Sequence, residues 1–200
     1  MSLHIHLRDI NPHMVAAWAT AFSGCPDVTT SQGDIFDRTA DAIVSPANSF
    51  GWMNGGIDLV YSRHFGWELQ ARLQADLESQ WAGELPVGNA HIVATEDPEI
   101  PWLISAPTMR APQVVAKTMN AYLAFRAAVL ATLRFNEGRA DPIRSILCPG
   151  LGTAVGLMPF ARCASQMRMA YDWTLGGQRP PIAHLSLRRQ QEIQFEMTHD

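Results

Sequence analysis

Twice along this chain, an apolar run that reads as a buried strand leads straight into a glycine-rich loop. The first is Asp41-Ala-Ile-Val-Ser-Pro-Ala-Asn48, continuing to Asn54-Gly55-Gly56-Ile57-Asp58. The second starts at Ile143, passes Cys148 and Pro149, and ends in Gly150-Leu-Gly152-Thr153-Ala154-Val155-Gly156. A loop of this kind at a strand end brings backbone close to a ligand, because glycine reaches positive φ and has no side chain in the way. Runs of free N–H groups then form an anion cradle suited to phosphate. Two cradles imply a diphosphate held from both sides. Asn48 and Asp58 add an amide and a carboxylate beside the first cradle, which equips it for chemistry.

Composition narrows the partners. With 47% hydrophobic and 17% charged residues, the chain has the balance of a soluble globular protein. It is expected to form one domain over residues 1–200, with a core over roughly 25–175 and a disordered tail from about 188. A net charge of -4 and the absence of a basic run argue against a nucleic-acid partner. No apolar run approaches the ~20 residues of a membrane span, and the N-terminus lacks the apolar region of a signal peptide. Cys25, Cys148 and Cys163 are odd in number and widely spaced, so a disulfide framework is not indicated and a cytoplasmic location is expected.

Strands and helices alternate. Leu3 to Arg8 alternates apolar and polar residues, as a strand does. Asn11-Pro12 reads as an N-cap and first-turn pair, followed by Val15, Trp18 and Phe22 at helical spacing. Val28 to Ser31 and Ala42 to Val44 read as strands. Leu69, Leu73, Leu77 and Trp81 form the stripe of a long helix. His91 to Thr95, Trp102 to Ala106 and Ile143 to Cys148 are further strands. Helices are predicted over 114–134 and 160–174, and Ile182 to Leu187 is a candidate edge strand. The pattern predicts a three-layer α/β/α sandwich on a mixed, mostly parallel sheet. Ligands in such sheets bind at the carboxyl ends of strands, where both glycine loops fall.

Each candidate residue has two readings. Asp34, in Gly33-Asp34-Ile35 at a strand end, either accepts from an exocyclic amine or caps a turn. Asn48 either fixes ribose hydroxyls or braces its loop. Asp58 is either an N-cap or a catalytic carboxylate. Arg110 either meets a phosphate or forms a rim ion pair. His4 and His6 share a strand face, but two ligands on a terminal strand are more often solvated surface than a metal site. Cys148 reads as a buried filler.

Taken in order, Gly33-Asp34-Ile35, Asp41-Ala-Ile-Val, Ala47-Asn48, Gly55-Gly56-Ile57-Asp58, Leu85-Pro-Val-Gly88 and Pro149-Gly-Leu-Gly-Thr-Ala-Val-Gly-Leu-Met-Pro159 resemble the macrodomain family, whose members bind ADP-ribose. The resemblance implies that Asp34 accepts from the adenine amine, with Ile35 beside it, and that Asn48 holds the distal ribose. Asn54, Gly55, Gly56 and Ile57 would line the first phosphate loop, and Gly152, Thr153, Ala154, Val155 and Gly156 the second. Asp58 would position or activate water, as in hydrolytic members, with no metal or cofactor. The chain departs from the family pattern at Ser45, where an Asn is usual, at Ser62, where a His is frequent, and at Gly156, where many hydrolases carry an aromatic residue.

Three functions compete. The first is hydrolysis of ADP-ribosyl adducts or ADP-ribose derivatives at the distal ribose. The second is a non-catalytic ADP-ribose reader. The third is an NAD(P)-dependent oxidoreductase built on the second loop, whose glycines spell the dinucleotide fingerprint badly.

Overall fold

The structure is a computed structural model that describes residues 3–178. The candidate strand at Ile182 to Leu187 and the tail from about 188 lie outside the described residues. Among the described residues, six strands form one sheet: β1 (His4–Asp9), β2 (Val28–Gln32), β3 (Ala42–Ser45), β4 (His91–Ala94), β5 (Trp102–Ser105) and β6 (Ser145–Cys148). Their order is β2-β1-β6-β3-β5-β4, with every neighbour parallel except the β4–β5 pair. The mixed, mostly parallel sheet expected from the sequence is therefore present.

Among the described residues, five α-helices cover the sheet: α1 (Pro12–Ala21), α2 (Gly56–Phe65), α3 (Glu68–Trp81), α4 (Asn120–Phe135) and α5 (Phe160–Thr174). Alternation along each strand divides the core in two. Ala42, Val44, Ile104, Ile146 and Cys148 pack on the side of α1, α4 and α5. Ile43, Leu103 and Leu147 pack on the side of α2 and α3. Along β1 only the first side is apolar: Ile5 and Leu7, with Leu3 just before the strand, enter the core, while His4, His6 and Arg8 take the alternate positions. That row explains the strict polar alternation of this strand.

Several local expectations are confirmed and others corrected. Asn11 caps α1, its Oδ1 accepting from the His13 N–H at 2.9 Å. Leu69, Leu73 and Leu77 are the buried stripe of α3. The helix expected from Val114 starts only at Asn120. Its first residues are drawn away because the Val115 N–H donates to the Gly156 carbonyl at 2.8 Å, tying them to the second glycine loop. The strand expected from Ile143 starts at Ser145, since the Asn136 side chain takes both backbone groups of Ile143.

Candidate functional site

The carboxyl ends of β1, β2, β3 and β6 surround one cleft of about 590 Å3. Asp34 and Ile35, Asn48, Asn54 to Asp58, and Gly152 to Gly156 all line it. The two glycine loops thus face a common space, although about a hundred residues separate them in sequence. β6 lies next to β3 in the sheet, and this adjacency brings them together.

The first loop leaves β3 at Ser45 and enters α2. Its N-cap is Gly55, with no side-chain cap, and the first helical bond runs from the Leu59 N–H to the Gly55 carbonyl. The N–H groups of Gly56, Ile57 and Asp58 therefore have no intrahelical partner, and the helix end carries partial positive charge toward the cleft. Asp58 is the third residue of α2 and does not cap it, which corrects the N-cap reading. Its carboxylate is buried, and Oδ1 accepts from the Ser45 hydroxyl at 2.5 Å. Burial pushes the Asp58 carboxyl up to about 7, and the Ser45 hydrogen bond works against it.

Asn48 braces its own loop. Its Oδ1 accepts from the Phe50 and Trp52 N–H groups, and its Nδ2 donates to the Trp52 carbonyl at 2.8 Å. These bonds present Trp52, half exposed, at the cleft rim. Ser62, one helical turn after Asp58, donates to the Met53 carbonyl at 2.8 Å and anchors the loop base. The segment after β5 supports the same loop: the Ser49 N–H reaches the Met109 and Arg110 carbonyls, and Thr108 donates to the Pro46 carbonyl. Arg110 forms a forked pair with Glu84 at 2.7 and 2.8 Å, which favours its rim ion-pair reading.

The second loop is packed from behind. A Cβ on Gly156 would lie 2.5 Å from both the Gly152 carbonyl oxygen and Val115 Cγ2. This backbone leaves no room for a side chain at Gly156 unless its neighbours move. The loop start is held by Asp9, whose Oδ2 accepts from the Gly150 N–H at 3.1 Å. Cys148 and Cys163 lie below it, fully buried, and burial pushes the Cys163 thiol up to about 12. Neither is a thiolate nucleophile at neutral pH.

Asp34 shows its turn-capping reading at the edge of the cleft. It lines the cleft, and its Oδ1 caps the short turn Ile35–Asp37 by accepting from the Phe36 N–H at 3.0 Å. Sequence reasoning missed Arg8 and Asp9, which both line the cleft. The available signal was a pair of charged residues ending a strand whose alternate residues are core. Among the described residues, no group of three or more His, Cys, Asp or Glu side chains is placed to hold a metal ion.

The family model for the Macro domain matches residues 44–167, a span running from β3 through both glycine loops into α5. The chain belongs to the macrodomain family. An uncharacterized protein from Aquifex aeolicus is 31% identical to this macrodomain over 133 residues, 66% of this chain and 73% of its own length. A solved macrodomain of Mycobacterium tuberculosis DarG superposes with a TM-score of 0.58 at 22% identity, covering 72% of this chain and 89% of that one. An Oceanobacillus iheyensis macrodomain solved with ADP superposes with a TM-score of 0.56 at 21% identity, covering 69% and 72%. At these identities the solved structures speak for the fold.

Proposed function

We propose that the cleft binds ADP-ribose and that the protein hydrolyses ADP-ribosyl adducts or ADP-ribose derivatives at the distal ribose. The observation that carries this reading is Asp58. It is a buried carboxylate on the cleft wall, beside an uncapped helix N-terminus, with one hydroxyl as its hydrogen-bond partner. A structural carboxylate in such a place would ordinarily be neutralised by a cation or spread over several donors. A carboxylate raised to about 7 is suited to take a proton from water near neutral pH.

In this reading the two glycine loops bind and bend the diphosphate through backbone N–H groups. Asp34 accepts from the adenine amine at one end of the cleft. Asn48 fixes the geometry of the first loop around the distal ribose and remains within reach of its hydroxyls through the rest of its amide. Asp58 orients a water toward the ribose carbon that carries the leaving group. Orientation is the main contribution, with proton transfer second. None of these steps requires a metal or cofactor. The three free cysteines fit a reducing compartment, and we place the protein in the cytoplasm.

The test pairs calorimetry with ADP-ribose and a release assay on ADP-ribosylated protein and on ADP-ribose 1″-phosphate. Binding with release supports the proposal. Binding without release from any substrate makes the protein a reader, and no binding removes the proposal.

A further inference from the structure

Arg8 is a charged side chain, 8% exposed, at the carboxyl end of β1. The turn bearing Asp34 is built around it. Its Nε donates to the Asp34 carbonyl at 2.6 Å, Nη1 to the Ser31 hydroxyl at 2.8 Å and Nη2 to Asp37 Oδ2 at 2.9 Å. The guanidinium also explains Gly33. A Cβ there would lie 2.2 Å from Arg8 Nη2, and φ is +143°. The neighbouring main chain is held from the other side, where the Gly33 N–H donates to the Asp9 carbonyl at 3.1 Å. Asp34 Oδ1 accepts from the Phe36 N–H at 3.0 Å, and the residue lines the cleft.

We propose that Arg8 is a positioning residue that sets base specificity, by clamping the Asp34 turn so that its carboxylate discriminates a ligand base bearing an exocyclic amine from one bearing a carbonyl. This inference rests on the proposed binding of ADP-ribose with adenine at Asp34. A planar guanidinium suits the task because its donors are fixed in one plane, so two contacts on the turn and one on the end of β2 hold the turn against the sheet. A clamped acceptor rejects a carbonyl base because it cannot turn away from the lone pairs it meets. A loosened one rotates and loses selectivity more than affinity.

The experiment is calorimetry of the wild-type protein and of Arg8→Met with ADP-ribose and with its hypoxanthine counterpart. Wild type is expected to favour ADP-ribose at least tenfold. Arg8→Met should bring that ratio below threefold, with affinity for the hypoxanthine ligand staying within threefold of wild type. Circular dichroism melting establishes that the variant is folded. If it is not, Ser31→Ala with Asp37→Ala removes two of the three acceptors and leaves Arg8 in place; this pair should lower the ratio threefold or more. An unchanged ratio in the folded variant overturns the role of Arg8 and leaves ADP-ribose binding intact. A wild type that binds both ligands equally overturns the adenine reading of Asp34, and the Arg8 inference with it. A wild type that binds neither ligand overturns the proposed function itself.

Discussion

The Ser45 hydroxyl donates to the Asp58 carboxylate across 2.5 Å, joining the end of β3 to the first turn of α2. Both residues are buried. The hydroxyl supplies one hydrogen bond without charge, so desolvation dominates and the carboxyl stays raised to about 7. In this chain the Ser45 side chain is spent on the catalytic candidate.

The raised carboxyl makes stability depend on pH. The folded state holds a proton on Asp58 that the unfolded state releases near 4, so this group's contribution falls as pH rises from about 4 to about 7. Asp58→Asn removes the titration while keeping an acceptor for Ser45. The variant should be more stable than wild type at pH 8, by on the order of 2–4 kcal/mol, since each pH unit between the folded and unfolded titrations is worth ~1.4 kcal/mol. The gap should close toward pH 4. Urea unfolding at the two pH values measures it, and a gap that does not depend on pH contradicts the buried environment.

The same titration should appear in catalysis. A general base works when deprotonated, so release of ADP-ribose should rise with pH through about 7 and then level off. A single-turnover pH profile checks this. A rate that falls across that interval would assign Asp58 as a proton donor instead.

Base recognition at Asp34 has its own signature. Replacing the adenine of ADP-ribose by hypoxanthine removes the amine that Asp34 is proposed to accept from. Calorimetry should show a loss of roughly 1.5–3 kcal/mol, the usual worth of a hydrogen bond to a charged group. Equal affinity would take Asp34 out of the base subsite.

The two loops should respond differently to added side chains. Gly56 has φ +55° with no atom within 4 Å of its would-be Cβ, so Gly56→Val should fold and instead obstruct the cleft, weakening ADP-ribose at least tenfold. The backbone penalty for that φ is ~1–2 kcal/mol. Gly156 has no such room, because its Cβ would strike the Gly152 carbonyl at 2.5 Å. Gly156→Ala should lower stability by about 1–3 kcal/mol, the usual cost of overpacking. Thermal melts and calorimetry on both variants separate the two effects.

Much of this was legible in the sequence where the signal is local. The alternation of Leu3 to Arg8 marked a strand with one apolar face, and that face alone enters the core. The leucine stripe of α3 followed from its spacing, and α5 has the bounds expected of it. The site residues implied by the family resemblance, from Asp34 to Gly156, all fell on one cleft. What could not be read is long-range. Nothing near Ile146 announces that β6 lies between β1 and β3. Nothing near Val115 announces that its N–H serves Gly156 in place of a helix. Arg8 looked like the last polar residue of a strand because its partners lie 23 to 29 positions away.

The most direct test of the account is Asp58→Asn, measured for both ADP-ribose affinity and single-turnover release from a substrate that the wild-type protein cleaves. The substitution preserves shape and removes the basic oxygen pair. A group acting in the transition state affects turnover more than ground-state binding. The account predicts affinity within a few-fold of wild type and a rate lower by on the order of 10²-fold or more. Release at the wild-type rate from the folded variant would contradict it and move the chemistry away from Asp58.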